Sequence, residues 1–163
     1  MPLIYKIKYK TMLKEILYYI LKKEWSLPNS RLTKLVYLLD WKYSLEQWKQ
    51  YTNIKWYFDY YWPFVKDIEK IIEENPDWFK TNIISDIYWN KKYFSINWNH
   101  ELNLSDNLKN YINSIIYRTS KLSYSWFIKF VYSTYPIYKS KKFEYLELEK
   151  LAKEYNQYLN SKK

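Results

Sequence analysis

The sequence predicts a mainly α fold: a single compact helical domain over residues 1–163 with one small β-hairpin insert. Three observations carry this reading. Apolar residues recur three and four apart through six separate stretches, the spacing of one helix face. The period switches once to alternation, over about residues 83–98, and then returns. At 163 residues with 48% apolar content, the chain has the size of one domain and can bury a core without a disulfide or metal staple.

Met12, Leu13, Ile16, Leu17, Ile20 and Leu21 predict a first helix over 11–24. Trp25 to Ser30 breaks it, because Pro28 biases Leu27 away from helical geometry. Asn29 or Ser30 caps the next helix, over 30–44. It carries Leu32, Leu35, Val36, Leu39 and Tyr43 on one side and Thr33, Tyr37, Asp40 and Trp41 on the adjacent stripe. A further helical stretch through Leu45–Tyr51 is weakly patterned, and the ring-dense Asn53–Tyr61 leaves helix and strand both open. Pro63 suits the first turn of a helix over 64–74, with Phe64, Val65, Ile68, Ile71 and Ile72 on its core face. It stops at Asn75-Pro76. Ile83, Ser85, Ile87 and Trp89 then alternate, as do Phe94, Ile96 and Trp98, so a hairpin is expected with its turn at Asn90-Lys91-Lys92. Ser105 and Ser123 read as N-caps of helices over 105–119 and 123–135, with Pro136 ending the second. A last helix over 145–159 frays at 160–163.

Composition excludes several functions. Without Cys there are no disulfides, thiolate metal sites or Cys nucleophiles. Without Gly, the loops that cradle phosphates or expose a nucleophile lose the residue that gives them φ > 0 and close backbone approach. Nucleotide-binding and hydrolase folds built on those loops are therefore disfavoured. The longest uncharged run, Phe130 to Tyr138, is nine residues, against the roughly 20 a membrane-spanning helix needs. Lys6, Lys8 and Lys10 before Ile16–Leu21 mimic a signal peptide, but the apolar stretch is too short and no small-residue cleavage site follows. The chain reads as cytoplasmic. Lys plus Arg number 27 and Asp plus Glu 17, a net charge of +10. Ile, Lys, Asn and Tyr together supply 76 of the 163 residues, which is what AT-rich codons write. Codon usage accounts for most of the Lys excess, although a charge of +10 attracts anionic partners whatever its origin.

The helix Leu32-Thr33-Lys34-Leu35-Val36-Tyr37-Leu38-Leu39-Asp40 resembles the opening motif of the Panacea domain family, the SocA-like antitoxin group also met as a phage-associated domain of unknown function. Tyr60-Tyr61-Trp62-Pro63-Phe64-Val65 falls where that family has an aromatic residue, Gly-Pro and an apolar residue opening a helix. Leu122 to Ile137, with Ser123, Phe127 and Ser133-Thr134-Tyr135-Pro136, resembles its closing helix. Trp62 stands in place of the family's Gly, and the resemblance then implies that it is expected to cover the groove that Gly would leave open. The resemblance implies a non-enzymatic protein-binding role in a toxin–antitoxin system, without cofactor or metal: neutralising a partner toxin or delivering it to a protease. It sets Tyr37 and Asp40 beside Tyr61, Trp62 and Pro63 and beside Thr134 and Tyr135, a concave, partly exposed patch for the partner.

Other chemistry-bearing residues read as structural. His100, the only His, lies in a polar Asn97–Asn103 loop beside Glu101, and one His cannot build a two-His metal site. Glu69/Glu73 and Glu144/Glu147 are carboxylate pairs with Lys66, Lys70, Lys141, Lys142 and Lys150 interleaved or flanking, the pattern of a solvated helix face. Asp40 reads either as a structural hydrogen-bonding group at a helix contact or as an anchor for a cationic partner residue. An alternative function is nucleic-acid binding through Lys6, Lys8, Lys10, Lys139, Lys141 and Lys142 among the 37 aromatic rings, the chemistry of single-strand grooves. Only two Arg, Arg31 and Arg118, stand against it, since base readout and bidentate phosphate clamps favour Arg.

Overall fold

The computed structural model describes residues 3–60 and 63–162, with only the backbone described at Lys6 and Phe64. It is mainly helical. In order the elements are α1 (Leu3–Glu24), β1 (Ser26–Pro28), α2 (Asn29–Gln47), β2 (Tyr57–Phe58), β3 (Pro63–Phe64), α3 (Asp67–Glu73), β4 (Phe79–Asp86), β5 (Trp89–Ile96), α4 (Asp106–Thr119), α5 (Tyr124–Tyr132), α6 (Tyr135–Lys139) and α7 (Leu148–Asn160). The sequence takes residues 1–163 as one domain. The packing groups them into two compact units, Met1–Thr33 with Lys66–Asn110 and Lys34–Val65 with Tyr111–Lys163. No helix among the described residues is long and apolar enough to cross a membrane.

The first unit is built on α1, whose Leu13, Ile16, Leu17, Ile20 and Leu21 are all buried, together with Ile68, Ile71 and Ile72 of α3. Its sheet has the antiparallel order β1-β5-β4. Leu27 pairs with Phe94, and Phe79 with Ile96; Leu27, Phe79 and Phe94 are buried and fix the register. Tyr18 ties down the chain after β5: its hydroxyl donates to the Trp98 carbonyl at 2.8 Å and accepts the His100 N–H at 3.1 Å.

The second unit is organised by α2. Residues 34–41 of this helix are all buried, including Lys34 and Asp40, so no solvent-facing stripe is left in that stretch. Around it the unit buries Ile54, Trp56, Ile115, Phe127, Val131, Leu148 and Leu151.

Several expectations are corrected. The first helix starts eight residues earlier than residue 11, and Lys10 is held there by Glu74 at 2.7 Å. Ser26–Pro28 is a third strand rather than a plain break. Pro63 does not open a helix but pairs with Phe58 in the short β2–β3 ladder, where a missing N–H is tolerated. The helix begins instead at Asp67, with Asp67 and Glu69 in its first turn to complement the dipole. The strands turn at Ile87-Tyr88 and not at Asn90, which pairs with Ser85; the Asp86 carboxylate accepts the Ile87 N–H at 2.6 Å and supports the reversal. Ser123 caps α5 by accepting the Trp126 N–H, but α5 ends at Tyr132 and Pro136 lies in the first turn of a separate helix, α6.

The absence of Gly shows at the ends of the two longest helices. Trp25 (φ 68°) and Trp48 (φ 57°) adopt the left-handed conformation just past α1 and α2. Their N–H groups donate to the Leu21 carbonyl at 2.8 Å and the Ser44 carbonyl at 3.0 Å. Gly ordinarily takes such positions, and a side chain there costs on the order of 1 kcal/mol.

Candidate functional site

Asp40 is wholly buried and accepts hydrogen bonds from Thr52, Trp56 and the Tyr51 backbone. The Thr52 N–H lies at 2.8 Å, the Thr52 hydroxyl at 2.5 Å and the Trp56 indole N–H at 2.8 Å. One carboxylate thus organises the segment that follows α2. The Trp56 ring meets the Tyr37 ring edge-on at 5.5 Å. The Tyr37 hydroxyl is 2.8 Å from that of Thr134, which itself donates to the Val131 carbonyl at 2.7 Å, so Tyr37 is the donor. Burial pushes the Asp40 carboxyl up to about 6, opposed by the hydrogen bonds from Thr52 and Trp56. Burial also raises the Tyr37 phenol well above its ordinary value and lowers the Lys34 ammonium to about 8.

Tyr37 bonds Thr134 directly and is linked to Asp40 through Trp56, but all of this lies inside the unit. Tyr37 and Asp40 have no exposed area and offer no partner surface, because they lie on a stretch of helix buried all round. Pro63 is buried as well, and Tyr61 and Trp62 lie outside the described residues. Thr134 and Tyr135 remain half-exposed.

Those two residues open onto a cavity of about 740 Å³ in the same unit. Its walls carry the rings of Trp41, Phe130, Tyr135, Tyr138, Tyr155 and Tyr158. The Tyr155 ring centre stands 5.0 Å from that of Tyr135 and 6.2 Å from that of Trp41, so these three rings adjoin along the wall. The charged lining is Lys42, Glu46, Arg118 and Lys139. Glu46 is already engaged by Lys42 at 2.5 Å and by the Tyr111 hydroxyl at 2.7 Å, bonds that hold its carboxyl below the usual range. Arg118 and Lys139 leave the cavity with an excess of positive charge. A space of this size, with apolar walls and a few placed charges, suits an apolar or ring-bearing group carrying a negative charge.

Comparison with protein-family models, with curated proteins and with solved structures gives no match. The site is therefore read from its own geometry.

The remaining candidates have local roles. His100 stacks on Trp78 at 4.0 Å, with Nε2 3.2 Å from the Asp77 carbonyl. Glu69 and Glu73 both accept from Lys92 of β5, and Glu69 also from Asn29. Glu144 accepts the Lys141 N–H, and Glu147 pairs with Lys150. Among the described residues no group of three or more His, Cys, Asp or Glu could hold a metal ion. Of the Lys clusters, Lys10 is paired with Glu74, Lys8 is exposed, and the Lys6 side chain lies outside the description. Lys139 lines the cavity, and Lys141 and Lys142 are exposed. The sequence reading missed Thr52, Trp56, Arg118, Tyr155 and Tyr158. One signal was legible: Tyr135/Tyr138 and Tyr155/Tyr158 repeat the same three-residue spacing, which puts each pair on one side of its helix.

Proposed function

We propose that this chain is a non-enzymatic protein-binding module whose ring-lined cavity receives an acidic, aromatic-bearing segment of a partner protein. The observation that carries it is the combination of six rings with three cations, Lys42, Arg118 and Lys139, against the one carboxylate of Glu46 in one cavity. Tyr, Trp and Arg in a concave site are the residues that dominate binding energy at interfaces. The resemblance to the SocA-like antitoxins makes the partner toxin-like, to be neutralised directly or delivered to a protease.

A fluorescence titration with a short Glu-rich peptide bearing one Phe tests the chemistry. Binding should weaken by about 2 kcal/mol in Tyr155→Ala and in Arg118→Ala, with thermal melting showing that each variant is folded. A matched peptide with Gln for Glu should bind more weakly. No binding of the acidic peptide, or binding indifferent to both variants, overturns the reading. Oligothymidylate binding tighter than the peptide, falling steeply with log salt, would replace it with single-strand nucleic-acid recognition by the same rings and cations.

A further inference from the structure

β4 is an edge strand, and every residue of it except Phe79 is exposed. Ile83 and Ile84 keep 60% and 52% of their surface in solvent. Its centre, Thr81 to Ser85, carries neither a charge nor a Pro, the usual devices that stop an edge from pairing. The outward backbone groups can be assigned. The Asn97 N–H donates to the Trp78 carbonyl at 2.9 Å, one step beyond the Phe79–Ile96 pair. Alternation along the ladder then turns the backbone of Lys80, Asn82, Ile84 and Asp86 toward β5. The N–H and C=O groups of Thr81, Ile83 and Ser85 face the open edge, while the Phe79 N–H is taken by the Asn75 carbonyl at 3.2 Å.

We propose that two copies of this chain associate through β4, the strands pairing antiparallel about a two-fold axis at Ile83. In that register Ile83 faces Ile83, Thr81 faces Ser85, Asn82 faces Ile84, and Lys80 faces Asp86. The outward groups of Thr81, Ile83 and Ser85 meet outward groups of the second copy, giving about six main-chain hydrogen bonds. A one-residue shift sets outward groups against inward ones, and a two-residue shift separates Lys80 from Asp86. Both of these side chains are exposed. Neither forms an ion pair within its own chain among the described residues. The strand is thus complementary to itself in backbone parity and in charge, as an isologous interface requires. Joining the two copies would make one six-stranded sheet and leave only the three-residue β1 at each edge.

Sedimentation velocity on the full chain tests this, with a dimer of low-micromolar Kd, about 8 kcal/mol, expected. Lys80→Asp and Asp86→Lys should each weaken the dimer by about tenfold, since each sets like charges opposite one another. The double variant Lys80→Asp/Asp86→Lys should restore it. Thr81→Pro, which removes an outward N–H only, should yield a monomer with an unchanged circular dichroism spectrum; if it unfolds, the charge swap decides alone. A chain that stays monomeric at about a hundredfold above that Kd overturns the proposal. So does a dimer that ignores the single variants, or one that the double variant fails to restore.

Discussion

α2 and β4 invert the usual relation between polarity and burial. The centre of α2 keeps Thr33, Lys34 and Asp40 inside, whereas β4 leaves Ile83 and Ile84 in solvent. In the helix, neighbouring segments surround the chain and supply partners: Thr52 and Trp56 for Asp40, Thr134 for Tyr37. In the strand only one edge is occupied, by β5, and among the described residues every position beyond Phe79 is left exposed. Burial thus follows from what surrounds an element and not from its own composition. A buried polar group is tolerated where its hydrogen bonds are made, and an exposed Ile where nothing covers it.

Asp40→Ala should give the largest effect. It leaves the Thr52 N–H and hydroxyl and the Trp56 indole N–H without their acceptor, at a cost of about 3 kcal/mol or more in denaturant unfolding. A loss below about 1 kcal/mol would mean that the network does not hold the 52–56 segment.

The pH dependence of stability sharpens the contrast further. The Asp40 carboxyl is raised in the folded state to about 6 from 3.8, so its contribution is fully present below about pH 4 and is lost as pH rises through 6. The Lys34 ammonium is lowered to about 8 from 10.5, so stability is regained as pH rises from about 8 toward 10.5. Together the two groups place a trough between about pH 6 and 8 in thermal melts. Asp40→Asn should remove its acid side and Lys34→Met its alkaline side.

Tyr37→Phe removes one buried hydrogen bond but leaves Thr134 bonded to Val131, so about 1 kcal/mol is expected. Ile84→Thr, on the exposed strand, should change the stability of the monomer by no more than about 0.5 kcal/mol. A larger loss would show that Ile84 is covered within the monomer, and would break the comparison at its other end.

Periodicity made most of the helices legible. Helical spacing placed α1, α2, α4, α5 and α7 within a few residues at most ends, because an amphipathic face records which side meets a core. Ser123 announced the start of α5 for an equally local reason, since a cap bonds to the backbone three residues on. The strands were legible as alternation but not as register. Phe79, Phe94 and Leu27 decide the register, and they come together only across the sheet.

What the sequence determined by itself is the local part: helical periods, the switch to alternation, the cap at Ser123, and a net charge of +10 without Gly or Cys. Tertiary structure alone decided which polar residues go inside and where the cavity lies. Asp40 meets its donors after the chain reverses beyond α2, and the cavity gathers rings from α2, α5, α6 and α7. The physical reason is range. Backbone propensity and caps act over about four residues, whereas desolvation and hydrogen-bond satisfaction depend on every segment folded around a group.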